Sequence, residues 1–408
     1  MGFDKHAAGG LSCAAVSGAD AKTPVETDSG AAPIGGLTPL PVLLRMLSRH
    51  RVAPRYRHRA RRRLLMSAAL EPLRWYEKLR YRRLLASTEI HPEPIFLLGY
   101  GRSGTTHLHN LLWHDRRFGV VTNYQAALQP IALTGQGRLE RRLAAVMPSH
   151  RPMDNVAVTA DSPQEEEIAL MNSSEHTPLR FMDFPQALPE LYDRYLTELG
   201  SDPAVLEAWK RDYLDVLRKA TVLGGGRRLV LKTPPHTARV PVLLELFPHA
   251  RFIHIVRNPY DVYRSMRNMY RKILPPQVLQ EFDWQTIDDW TLSAYRTTVA
   301  RYLETRSMIP DGRLFEIRYE DLDSDPLAML GRLYTALDLP DFAEARPELE
   351  RYLAELGSFE KNRFDLSAET VETVNEHWGL SFDAFGYERL DPREVAAQAE
   401  PGGAGSTV

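Results

Sequence analysis

The chain has 408 residues and a single cysteine, Cys13. That excludes a disulfide framework and a cysteine-based metal site. No apolar run approaches the ~18–20 residues that a membrane-spanning helix requires. The N-terminus lacks the charged-then-apolar pattern of a secretory leader, and His6 stands where a myristoylation signal has Ser or Thr. Net charge is also scarce, with 51 Lys and Arg against 53 Asp and Glu. The expectation is a cytoplasmic enzyme large enough to bury one α/β core plus accessory helices, with no nucleic-acid partner.

The chain is organised around residues 94–112. Pro94-Ile-Phe-Leu-Leu98 is a short apolar run, the pattern of a strand buried on both faces. It breaks at Gly99 and Gly101 and resumes after Gly104 with Leu108, Leu111 and Leu112 at helical spacing. A strand, a glycine-rich turn and a helix point free backbone N–H groups and the positive end of the helix dipole at one spot, where an anion belongs. Gly99-x-x-x-x-Gly104 nearly makes the nucleotide-binding loop GxxxxGK(S/T), but Thr105 replaces its lysine and the nearest cation is Arg102, inside the loop.

Three further runs read as buried strands: Arg228–Thr233, Arg251–Arg257 and Arg313–Tyr319. Each leads into a helix, and Asn258-Pro259 and Asp325-Pro326 mark two of the starts. Strands alternating with helices imply a parallel sheet, whose ligand crevice lies beyond the carboxyl ends of the strands. Arg102, Lys232, Arg257 and Arg318 all fall there, a cationic rim suited to a dianionic ligand. A kinase or NTPase with a degenerate loop would need an Asp at a strand end to hold Mg²⁺. The strands end instead in Lys232-Thr233 and Arg257-Asn258, so no metal site is expected.

Outside this core, residues 1–37 are rich in small residues and read as disordered. Residues 38–90 form an Arg-dense helical arm with Leu64, Leu65, Leu70, Leu73 and Trp75 on an apolar side. The preferred reading is an arm that packs this apolar side on the core, its arginines solvated or facing acidic partners. Peripheral contact with a membrane and a nucleic-acid patch are the alternatives, the latter two making a non-catalytic binding protein the rival class. In Asp161-Ser-Pro-Gln-Glu-Glu-Glu167, Ser162 and Glu165 fit a capping box around Pro163, which leaves Glu166 and Glu167 for chemistry. Residues 392–408 read as a frayed tail.

Gly-Tyr-Gly-Arg-Ser-Gly-Thr-Thr106 resembles the 5′-phosphosulfate loop of sulfotransferases that use 3′-phosphoadenosine 5′-phosphosulfate (PAPS), in the Arg-Ser-Gly-Thr-Thr form of the bacterial and Golgi-type branch. Val256-Arg-Asn-Pro-Tyr-Asp-Val-Tyr-Arg-Ser265 resembles the family's second signature. The resemblance covers residues 92 to 387. It implies a P-loop-like three-layer α/β sandwich, a central parallel sheet flanked by helices over 91–391, with the N-terminal helical arm added. It further implies that Gly101, Arg102, Ser103, Gly104, Thr105 and Thr106 hold the 5′-phosphosulfate and that Arg257 and Ser265 bind the 3′-phosphate. Lys361 and Arg363 are placed in a closing loop. Lys232, with Arg102, becomes the candidate for stabilising charge on the transferring group. The base is His236, in Lys-Thr-Pro-Pro-His, or one of Glu166 and Glu167. His107 and His109 are read as packing or ligand-lining groups. The acceptor is a hydroxyl, or else an amine, on a small molecule, lipid or carbohydrate, lined by 123–180 and 266–290.

Overall fold

The computed structural model describes residues 37–150, 157–356 and 366–399. The stretch 1–36, expected to be disordered, lies outside these residues, as do Lys361 and Arg363. The expected tail is helical over Pro392–Ala399, with proline at the first helical position, where its missing N–H costs nothing.

Five parallel strands, β1 (Ile95–Leu98), β2 (Phe118–Gly119), β3 (Arg228–Lys232), β4 (Arg251–Val256) and β5 (Leu314–Arg318), form one sheet in the order β2-β3-β1-β4-β5. The principal helices are α1 (Leu40–Arg49), α2 (Arg57–Ser87), α3 (Thr105–Trp113), α4 (Glu166–Ser173), α5 (Pro203–Leu223), α6 (Pro259–Ile273), α7 (Trp284–Thr305) and α8 (Ala368–Phe385). Four strands coincide with the apolar runs of the sequence. The fifth, β2, pairs only Phe118 and Gly119 with Arg228 and Leu229, and two residues are too few to show a pattern.

β1 is the middle strand and its four side chains are fully buried. Because successive side chains alternate between faces, Phe96 and Leu98 join one core with α4 to α8. Ile95 and Leu97 join the other, with α3 and the helix Pro326–Ala336. These are the three layers the resemblance implies. The turn after β1 therefore stands on residues that cannot shift without opening both cores, each burying an apolar side chain for about 1.5–3 kcal/mol.

His109 shows how tightly α3 is seated. Its Nε2 lies 3.2 Å from the Val230 carbonyl and so carries the proton, while Nδ1 is buried without a partner among the described residues. Burial, with Lys232 adding to it, lowers its pKa to about 3. The folded value lies below the unfolded one, so this contribution to stability is complete above pH ~6.5 and is lost as pH falls toward 3. His109→Gln should therefore flatten the loss of urea stability across that window. An unchanged slope would show that other groups govern acid unfolding.

The arm reverses one expectation. The side of α2 that packs on the body is polar, burying Arg63, Ser67, Arg74 and Glu77. Arg63 donates to Asp183 (2.6 Å) and to the Gln277 carbonyl (2.6 Å). Arg74 donates to the Leu37 carbonyl, and Glu77 accepts from Lys219 (2.8 Å) and from the Thr134 amide (2.8 Å). Arginines do face acidic partners. Of the five apolar residues expected to pack, Leu64, Leu70 and Leu73 are half-buried, but Leu65 and Trp75 point outward, 73% and 71% exposed. The surface receiving α2 presents charges and open carbonyls, so a polar face fits it better than an apolar one. No described helix is long and apolar enough to cross a membrane.

Candidate active site

The loop after β1 has the backbone its sequence demands. Gly104 has φ +93°, and a Cβ there would collide with the Tyr319 ring. Gly99 has φ +145°, and a Cβ there would meet the Ile255 carbonyl at 2.6 Å. Between them Arg102 adopts φ +70°, a left-handed conformation that costs a non-glycine residue roughly 1 kcal/mol. Strain of this kind persists where the surroundings hold it, commonly at functional sites. Here its effect is directional: Arg102 Nε donates to Ser265 Oγ on α6 (2.8 Å).

That contact joins two motifs 163 residues apart. Asn258, next to Arg257, caps α6 by accepting from the Tyr260 amide (3.0 Å). The Arg257 guanidinium lies over the Tyr319 ring (4.5 Å) and 3.5 Å from Asp261, and its Nε is buried without a partner among the described residues. Arg318 has another task. It donates to the Phe385 and Gly386 carbonyls (2.5 and 2.6 Å) and lies over the Tyr387 ring. Of the four expected rim cations, Arg318 is a folding device that closes the end of α8.

The second half of the site is a corner formed by Lys232, Thr106 and Glu165. Lys232, nearly buried at the end of β3, places Nζ 2.7 Å from Glu165 Oε1 and 3.4 Å from Thr106 Oγ1. The expected capping box does not form. The helix starts at Glu166, and Ser162 Oγ instead accepts from Asn123 Nδ2 (2.9 Å) and the Thr159 amide (3.1 Å). Glu165 is thereby released from a backbone role and its carboxylate reaches the cavity wall.

The three residues expected to supply the base sit elsewhere. Pro234–Ala238 is a tight turn that sends His236 beneath the sheet, edge-on to Phe96 and fully buried. There His236 Nε2 is 3.0 Å from Glu166 Oε1 and 2.9 Å from the Tyr213 hydroxyl. Glu166 Oε2 accepts from the Lys232 amide (2.9 Å). Glu167 pairs with Arg239 (2.7 Å), and both side chains are 0% exposed. None of the three lines the cavity. A base must come within hydrogen-bond reach of the proton it removes, and in this structure all three side chains are enclosed behind Lys232 rather than at the cavity wall. Glu166 and His236 hold the backbone that carries Lys232. The sequence did signal Glu165, as the first of three consecutive carboxylates, but the cap reading absorbed it.

The cavity, about 280 Å³, opens between the loop and the helices α4, α6 and α7. Arg102, Thr105, Thr106 and Glu165 line its polar end. Ile168, Phe181, Met182, Met266, Tyr270 and Trp290 line much of the rest, with Asn123, Ser162 and Gln164 adding polar groups to the wall. Tyr270 and Trp290 thus face the cavity, with Phe181 packed against both rings (5.9 and 5.2 Å). Trp284 does not line it and instead lies under Arg271. Both sequence segments expected to line the acceptor contribute, joined by Leu188, Tyr192 and Leu196, which carried no motif.

A glycine-rich anion loop, a second arginine-serine signature meeting it through Arg102 and Ser265, and a five-stranded parallel sheet occur together here. A family model described as the sulfotransferase family matches residues 94–344. The chain belongs to the sulfotransferase family. The omega-hydroxy-beta-dihydromenaquinone-9 sulfotransferases Stf3 of Mycobacterium bovis and Mycobacterium tuberculosis are each 34% identical over 328 residues, covering 80% of this chain and 84% of theirs. In structure the sulfotransferase resembles STF9 of Mycobacterium avium, with a TM-score of 0.60 and 22% identity over 86% of this chain and 91% of that one. It also resembles STF1 of Mycobacterium tuberculosis, with a TM-score of 0.56 and 18% identity over 83% and 90%. These structures share its fold. The kinase and the non-catalytic readings give way to a sulfuryl-transferring enzyme.

Proposed function

We propose that this sulfotransferase takes its sulfuryl group from PAPS and passes it to the hydroxyl of a largely apolar acceptor, with Glu165 as general base. The observation that carries this reading is the Lys232–Glu165–Thr106 corner, whose Thr106 and Glu165 line the cavity beside the anion loop while Lys232 stands buried just behind them. A carboxylate and an ammonium at that junction can act on an acceptor oxygen and on a departing phosphate oxygen at once.

The residues fit the donor. Arg257 Nε is a buried donor atom without a partner among the described residues, which is costly unless an anion completes it. Arg257 and Ser265 would hold the 3′-phosphate, and Gly101 to Thr106 the 5′-phosphosulfate. When bound, the donor supplies the sulfuryl group: the acceptor O–S bond forms as the S–O bond to the 5′-phosphate breaks, leaving 3′,5′-ADP. Glu165 takes the acceptor proton at a carboxylate oxygen. Lys232 and Arg102 balance charge on the leaving oxygen, a preorganised electrostatic role. Lys232 is held by Glu165 in this structure. Sharing Lys232 with the donor would loosen that pair and free a carboxylate oxygen to meet the acceptor hydroxyl.

The Stf3 relatives are named for a hydroxyl-bearing menaquinone acceptor. An aromatic and aliphatic cavity with one polar end supports the same class here, an apolar body with a terminal hydroxyl. Calorimetric titration tests the donor half. Without metal, 3′,5′-ADP should bind well and 5′-AMP more weakly. Arg257→Ala should weaken 3′,5′-ADP by about 10–100-fold, the worth of a charged hydrogen bond, and leave 5′-AMP nearly unchanged. Equal losses for both nucleotides would remove Arg257 from the 3′-phosphate site. Transfer to long-chain alcohols but not to sugars would support the acceptor half; the reverse preference would overturn it.

A further inference from the structure

The outward face of α2 has no use in the chemistry above. Along it lie Leu65, Met66, Trp75, Tyr76 and Leu79, exposed by 73%, 38%, 71%, 54% and 79%. Monomeric proteins seldom leave such a contiguous apolar strip in water. From Leu65 to Leu79 the strip is about 21 Å long at the helical rise. Exposed cations surround it, Arg61 and Arg62 before it, Lys78 within its span and Arg80, Arg82 and Arg83 after it. The only carboxylates in α2 are turned away: Glu77 is buried against Lys219, and Glu71 pairs with Arg74 and the Leu40 amide. The helix therefore turns its ion-paired residues to the protein, keeps Leu64, Leu70 and Leu73 half-buried, and leaves an acid-free strip of large apolar side chains exposed among cations.

We infer that α2 is an interfacial helix that docks the enzyme on an anionic lipid surface. Apolar residues with a Trp and a Tyr, flanked by arginines, are what the headgroup boundary accepts: rings and aliphatic groups enter the acyl edge while guanidinium groups meet anionic headgroups. A second copy of this chain fits poorly. Pairing two such faces in either direction sets arginines against arginines with no carboxylate between them. Nucleic acid would use the cations but leave Leu65, Trp75 and Leu79 in water. The helix is also tied to the cavity wall, because Arg63 on its inner side holds Asp183, next to Phe181 and Met182. An enzyme seated this way would present its apolar cavity close to the phase where an apolar acceptor resides. Docking itself rests on α2 alone and not on the donor or acceptor assignments.

The test is co-sedimentation of the full chain with phosphatidylcholine vesicles, with and without phosphatidylglycerol, together with tryptophan emission and sedimentation velocity. Vesicles containing phosphatidylglycerol should bind the protein and shift the emission to the blue, and Trp75→Phe should remove that shift. Leu79→Ser should lower partitioning about tenfold, and Arg82→Gln and Arg83→Gln about fivefold each, with salt weakening binding further. Nucleotide affinity should not move in any of these variants, which separates a docking defect from a failed donor site. No binding to anionic vesicles at low salt would overturn the inference. So would binding that survives all four substitutions, self-association abolished by Leu79→Ser without vesicle binding, or capture of a DNA duplex that depends on the arginines but not on Leu79.

Discussion

Glu165→Gln is expected to reduce turnover by about 10²–10⁴-fold, the usual worth of a positioned general base, with 3′,5′-ADP affinity and melting temperature near those of the parent. The substitution keeps the shape and one hydrogen-bonding oxygen toward Lys232, so the corner should stay assembled. What is lost is the ability to take a proton at the cavity wall. His236→Gln should behave oppositely. His236 is buried between Phe96, Tyr213 and Glu166, so its loss should lower stability first and turnover only through a loosened Lys232. Measuring kcat beside thermal unfolding for both variants separates the two roles. If Glu165→Gln retains turnover while His236→Gln abolishes it in a fully folded protein, the base assignment is wrong.

Arg239→Met should cost about 3–5 kcal/mol of folding stability, because it strands a buried charge. Glu167 and Arg239 are both fully buried, and Arg239 also donates twice to the Tyr195 carbonyl (3.0 and 2.5 Å). Their attraction largely offsets the cost of taking both from water, so the pair as a whole contributes little. Removing the cation alone leaves a carboxylate with nowhere to go. Adding Glu167→Leu to Arg239→Met should therefore recover much of the loss. Urea unfolding of the two single variants and the double one closes the cycle. Additive losses in the double variant would show that the two side chains are not coupled in this way.

The contrast between Glu165 and its two neighbours shows where sequence reading ends. The loop over Gly99–Thr106, the four longer strands, and the caps at Asn258 and Asp325 depend on local requirements. These are a positive φ, an apolar run, or a side-chain oxygen two or three residues from a free amide. Such requirements are written in contiguous residues, so they were legible, and with them the sulfotransferase resemblance and the three-layer fold.

The choice among Glu165, Glu166 and Glu167 is of another kind. Successive helical positions differ by about 100° in direction, so moving the helix start from Pro163 to Glu166 changes which carboxylate faces the cavity. That start is decided by Ser162 bonding Asn123 and Thr159 across the loop rather than by its own segment. The fate of Arg318, taken by the end of α8, depends likewise on residues 67 and 68 positions away. The orientation of α2 follows from the polar surface it meets, with Asp183 and Lys219 supplied from elsewhere in the chain. The sequence by itself determined the family resemblance, the four longer strands and the glycine-rich loop, because each is specified by neighbours along the chain. Only the tertiary structure decided which carboxylate reaches the cavity, which rim cation the end of α8 takes and which face of the arm meets the outside, because those depend on partners that folding alone brings together.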